Sequence, residues 1–138
     1  MIGPGGMTIC VDFDGTCVDH RYPDMGQDVP GAVKTLKELI GAGHELVLWS
    51  VRSGESLAAA VKWFRDRDIF LSGINENPGQ SSWSTSRKAY AHLYIDDSAF
   101  GAPLIFPAGF KHQVIDWERV SSELLGLKTS LEIVERKS

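Results

Sequence analysis

Three short apolar runs constrain the fold of this chain more than any other feature. They are the run from Met7 to Phe13, "ELVLWS" at 45–50 and "HLYI" at 92–95. Each has the length of a buried strand rather than of a helix. Between the first two, Ala32, Val33, Leu36, Leu39 and Ile40 recur at the spacing of one helical face. Pro30 is expected to open that helix, and Gly41 and Gly43 to end it. After the second run, Ser53 is expected to cap another helix, with Glu55 in its first turn and Leu57, Ala60, Val61 and Phe64 on its inner face. Strands alternating with helices imply a parallel sheet with right-handed crossovers. The expected fold is α/β, a three-layer α/β/α arrangement around a central parallel sheet.

The rest of the chain reads less sharply. Residues 15 to 28 and 75 to 86 carry Gly, Pro and polar side chains; the first is expected to be a loop or small hairpin and the second a loop. Ile69 to Ile74 is expected to form a weak strand, and "PLIF" at 103–106 a further one. Asp116 is placed to cap a helix bearing Trp117, Val120 and Leu124. The last dozen residues fit no single element. At 138 residues, 43% of them hydrophobic, the chain suits one domain with a sizeable core over 7–138, preceded by a loose leader at 1–6. A net charge of -4 excludes a broad basic footprint for nucleic acid. No apolar run approaches the roughly 18 residues that span a membrane, so no membrane partner is expected. Cys10 and Cys17 match no common zinc spacing, and free thiols in a reducing, cytoplasmic setting are expected.

Parallel sheets bind ligands beyond the carboxyl ends of their strands. Here those ends carry Asp12 and Asp14, then Ser50, then Asp96 and Asp97. Four carboxylates gathered in one crevice repel one another unless a cation intervenes. A hard divalent ion with oxygen ligands resolves the conflict, and Mg²⁺ is the expected cofactor. Such an ion can also hold a phosphate oxygen.

At this point the residues resemble a known family. "DFDGT" at 12–16 is similar to the first motif of the haloacid dehalogenase superfamily of phosphohydrolases. "LVLWS", ending in Ser50, resembles the second motif. Lys88 in "SRKAYAHLYIDD" fits the third, and Asp96 with Asp97 the fourth. The matches run in order from residue 8 to 97, about two-thirds of the chain. The resemblance implies a phosphomonoester hydrolase. Asp12 would attack phosphorus and form an aspartyl-phosphate. Asp14 would protonate the leaving oxygen and then activate water, while its main-chain carbonyl held Mg²⁺. Ser50 and the N–H groups around Phe13 and Asp14 would bind the phosphoryl group. Lys88 would neutralise charge on phosphate and nucleophile. Asp12, Asp14, Asp96 and Asp97 would form the metal site.

Larger members insert a cap domain after the first or second motif. Only about 15 residues separate Asp14 from Pro30, so no sizeable cap is expected. The loop with Asp19, His20, Arg21, Tyr22 and Pro23 would be a flap over an open site, where His20 and Arg21 either meet a leaving group or remain solvated. Arg52 would contact substrate phosphate or pair with Glu55 at the surface. A small-molecule phosphate ester is the expected partner. "SVRSGE" also resembles the phosphatase half of phage polynucleotide kinases, which keeps a 3′-phosphate nucleic-acid end as an alternative substrate. A non-catalytic phosphate- and Mg²⁺-binding module stays open as a second reading. A phosphorylation-switch receiver is disfavoured, since Lys88 precedes the final acidic pair. Oligomeric state is not legible.

Overall fold

The computed structural model describes residues 5–126. Most of the leader, residues 1–4, and the ambiguous tail, 127–138, lie outside the described residues. The central sheet holds β1 (Thr8–Val11), β2 (Glu45–Leu48), β3 (Gly73–Ile74) and β4 (Leu93–Ile95), in the order β3-β2-β1-β4 and wholly parallel. β1 sits in the interior and is buried at all four positions, as its apolar run requires. Its start is pinned by two histidines: the N–H of Met7 donates to His44 Nδ1 at 2.9 Å, and that of Thr8 to His92 Nδ1 at 3.0 Å. Both histidines serve the structural role their neighbourhood suggests.

Helix α1 (Ala32–Gly41) follows the predicted stripe, burying Leu36 and Leu39, but begins two residues later than expected. Gly31, at φ 82°, occupies the cap, and Pro30 stands outside the helix. Helix α2 (Gly54–Asp66) buries Ala60, Trp63 and Phe64, with Ser53 extended at its cap but making no side-chain bond. Phe13, Trp63 and Phe64 meet edge-on or tilted, with ring centroids 4.9–5.9 Å apart. The crossovers from β1 to β2 and from β2 to β3 run in one direction across the sheet, so right-handedness puts α1 and α2 on one face. Their apolar sides pack there with Ile9, Val11, Leu46 and Leu48.

The return from β3 to β4 crosses the other face. It carries no long helix, only a 3-10 turn at Gln80–Ser82. Ala89 and Ala91 from this segment pack on Cys10 and Val47, with Trp49 and Tyr94 half-buried alongside. The α/β class with its central parallel sheet is as expected, and among the described residues the second face of that sheet is covered by an irregular strap rather than by a long helix. The polar run 77–86 has no apolar stripe with which to form one.

"PLIF" contributes β5 (Leu104–Ile105), but it does not extend the parallel sheet. It pairs antiparallel with β6 (Val114–Ile115), a strand the sequence did not announce. Helix α3 (Trp117–Ser121) follows, with the Asp116 side chain accepting from the Arg119 N–H at 3.2 Å as expected of a cap, and continues as a π-helical turn at Ser122–Gly126. Trp117 is fully buried and its Nε1 donates to the Thr16 carbonyl at 2.6 Å, tying α3 to the loop after β1. Among the described residues, no sizeable cap domain stands over the sheet's carboxyl edge. Among the described residues, no helix is long and apolar enough to cross a membrane. Cys10 and Cys17 are free and buried.

Candidate metal and phosphate site

β1 and β4 are neighbours in register, Val11 beside Ile95, so the residues after them emerge together. The Asp12 N–H donates to the Ile95 carbonyl at 2.9 Å, carrying the pairing one step past β1. Asp12, Asp96 and Asp97 consequently present carboxylate oxygens within 4.8 Å of one another. Thr16 stands between two of them, with Oγ1 at 3.2 Å from Asp12 Oδ2 and 3.4 Å from Asp97 Oδ1. The same oxygen accepts the Asp97 N–H at 3.3 Å.

This crowding is electrostatically costly. Burial, together with the close carboxyl of Asp97 and the charge of Asp96, pushes Asp12 up to about 8 from the ordinary carboxylate value, and the Thr16 hydrogen bond offsets only part of this. Without a cation, the crowding favours the protonated form of Asp12. The residues therefore fit a hard divalent ion: three converging carboxylate ligands whose mutual repulsion such an ion would cancel.

Asp14 does not join the cluster. Its side chain turns to Arg52, whose Nη2 and Nε reach Oδ1 and Oδ2 at 2.7 and 2.8 Å. Any part it takes in metal binding falls to its main-chain carbonyl. Arg52 is 1% exposed and is no surface partner of Glu55. Its remaining donors go to main-chain carbonyls: Nη1 to Pro23 at 3.0 Å and Ser56 at 3.2 Å, and Nη2 to Asp24 at 2.7 Å. The guanidinium also lies between the Phe13 and Tyr22 rings, 5.1 and 5.4 Å from their centroids. With every N–H engaged by protein, Arg52 has none left for a substrate phosphate. The expected phosphate contact is replaced by a clamp that joins Asp14 to the flap.

Ser50 lies at the end of β2 as expected. Its N–H donates to Asn75 Oδ1 at 2.7 Å, and its Oγ accepts the Arg52 N–H at 3.1 Å, which leaves the hydroxyl proton able to donate. Among the described residues, the N–H groups of Phe13 and Asp14 bond to no protein acceptor. Phe13 itself is buried, so its contribution to a ligand is through the backbone. Lys88 stands apart. Its Nζ is 5.3 Å from the Tyr94 ring centroid, and among the described residues no carboxylate pairs with it.

Four residues at the site were not assigned a role from sequence. Thr16 and Gly15 belong to the "DGT" run, and Asn75 ends β3 at φ 55°. The fourth, Asp19, is 3% exposed and accepts N–H bonds from His20 at 2.9 Å and Lys111 at 3.1 Å. Burial alone would raise its carboxyl, but these backbone donors and His112 outweigh that and hold it below the ordinary value.

Gly15 is required twice over. It adopts φ 83°, and an added Cβ would lie 2.3 Å from both Asp97 Oδ2 and His20 Nε2. Gly15→Ala should therefore lower stability by about 1–3 kcal/mol and also disturb the carboxylates. Gly101→Ala is the control, since Gly101 has the same φ of 83° and open space around it. Urea midpoints of the two variants should differ, with Gly15→Ala the lower; equal midpoints would mean that only the backbone angle matters.

Neither a protein-family model nor a curated protein matches the chain. Among solved structures, that of a conserved protein from Bacteroides thetaiotaomicron is similar, with 41% sequence identity over 93% of this chain and 97% of that one and a TM-score of 0.73. This chain belongs to that protein's family. The likeness extends over nearly the whole of both chains.

Proposed function

We propose that this chain is a capless, Mg²⁺-dependent phosphomonoester hydrolase of the haloacid dehalogenase superfamily. The observation that carries the reading is the convergence of Asp12, Asp96 and Asp97 at the carboxyl ends of two adjacent parallel strands. The ordered motifs "DFDGT", Ser50, Lys88 and "IDD" support it.

Asp12 would hold the cation with one carboxylate oxygen and attack phosphorus with the other. The bond formed joins Asp12 to phosphorus, and the bond broken joins phosphorus to the ester oxygen. When bound, Mg²⁺ supplies charge neutralisation, for the carboxylates and for the phosphoryl oxygens. Ser50 and the N–H groups of Phe13 and Asp14 would receive those oxygens. Lys88 would have to swing from Tyr94 toward the phosphate. Asp14 would pass a proton to the leaving oxygen and later take one from water, which releases phosphate from Asp12. A carboxylate gripped in both lobes by a guanidinium cannot donate a proton, so Asp14 must loosen from Arg52 on each turnover. The substrate is a small-molecule phosphate ester, and the free buried thiols suit a cytoplasmic enzyme.

The test is hydrolysis of an aryl phosphate by the full chain. Phosphate release should require Mg²⁺, stop with EDTA and resume when Mg²⁺ is restored. Sugar phosphates, nucleotides and 3′-phosphorylated oligonucleotides form the accompanying screen. Release that continues undiminished in EDTA would exclude the metal-dependent reading. Absence of release across the screen, with Mg²⁺ and a phosphate analogue still bound, would favour the non-catalytic module.

A further inference from the structure

We propose that His20 is a positioning residue: through Nε2 it orients the Asp97 carboxylate toward the divalent cation. The inference rests on the metal-dependent reading above. His20 Nε2 lies 2.9 Å from Asp97 Oδ2, although 77 residues separate the two in sequence. Facing a carboxylate oxygen, Nε2 serves as the donor. The other oxygen of Asp97 lies 3.4 Å from Thr16 Oγ1, whose single proton is nearer to Asp12 at 3.2 Å. The His20 contact at 2.9 Å is therefore the shorter side-chain constraint on how the Asp97 carboxylate faces a cation.

The flap is built to hold that imidazole in place. Buried Asp19 accepts the N–H of His20 itself at 2.9 Å, and His112 Nδ1 lies 3.4 Å from the same carboxylate oxygen. The His112 ring stands edge-on to the His20 ring, with centroids 5.2 Å apart. Gly15 lets the pair close, since any side chain there would occupy the space of both Asp97 Oδ2 and His20 Nε2. Asp19 has no other task in the proposed chemistry, and holding the flap accounts for its burial. This assigns His20 to the metal side of the site rather than to a leaving group. Partners that orient a metal ligand typically change metal affinity 10–100-fold when removed.

The experiment is calorimetric titration of the full chain with Mn²⁺, beside steady-state kinetics in Mg²⁺. The variants are His20→Phe, His20→Ala, His20→Gln and Asp96→Asn. Phe keeps a ring beside His112 without a donor, whereas Gln keeps an N–H donor. His20 is 38% exposed in its side chain, so these changes leave the core untouched. His20→Phe and His20→Ala should bind Mn²⁺ about 10–100-fold more weakly, and His20→Gln within about threefold of the parent. The Mg²⁺ concentration for half-maximal rate should rise in parallel, while kcat at saturating Mg²⁺ and KM for the ester change little.

Unchanged Mn²⁺ affinity in His20→Phe and His20→Ala would overturn the inference, as would a rise confined to KM for the ester. Failure of the metal reading looks different: the parent would bind no Mn²⁺, or Asp96→Asn would bind as well as the parent.

Discussion

Asp12→Asn should abolish turnover and, in the absence of metal, make the protein more stable at pH 8. Loss of the nucleophile should lower kcat by about 10⁴-fold or more. The stability gain comes from the same carboxylate. In the folded chain Asp12 is pushed up to about 8, from 3.8 when unperturbed, by burial and by Asp97 and Asp96. Between these values the folded state holds a proton that the unfolded state has released. Stability therefore falls as pH rises through this window. The contribution is fully present below pH 3.8 and gone above about 8. Asparagine does not titrate, so the gap between variant and parent should widen with pH. Mg²⁺ should reverse the order, because it needs the ionised carboxylate and binds more tightly as the proton leaves. Thermal melts from pH 5 to about 8.5, in EDTA and in Mg²⁺, would check this. An Asp12→Asn variant less stable than the metal-free parent at pH 8 would show that carboxylate crowding is not what strains the site.

Arg52→Met should cost about 3–5 kcal/mol, because it leaves the Asp14 carboxylate without its buried partner. The methionine stem can fill much of the space between Phe13 and Tyr22, but not the hydrogen bonds to Asp14, Pro23, Asp24 and Ser56. Arg52→Lys should recover only part of the loss, since an ammonium cannot reproduce the planar fork. Urea denaturation of the three proteins separates this clamp from a substrate contact. A phosphate-binding arginine would raise KM in Arg52→Lys and leave the urea midpoint in place. The clamp requires the midpoint to fall. An unchanged midpoint in Arg52→Met would overturn it.

The two residues show where sequence reading succeeds and where it stops. Asp12, Asp96 and Asp97 were legible because strand ends are legible. Apolar runs of strand length locate β1 and β4, parallel pairing aligns their carboxyl ends, and side chains one or two residues beyond must then meet. α1 and α2 were legible for a similar reason, through periodicity along a single segment. Arg52 was not legible, because its partner lies 38 positions away. Sequence offered it the near neighbour Glu55 or an external phosphate, and the tertiary structure gave it Asp14. β5 and β6 differ from the central strands in the same way. Each is two residues long, and they pair across the turn between them, so neither carries a pattern long enough to assign its sheet.

The sequence by itself determined the α/β class, the strand ends that carry charge and the acidic character of the edge. Those properties follow from local hydrophobic patterning, which each segment expresses on its own. Only the tertiary structure decided which carboxylates converge and which one an arginine holds. It also decided that an irregular strap covers the second face and that His20 turns to Asp97. These outcomes depend on contacts between residues far apart in the chain, where geometry and burial select one partner among several of suitable charge.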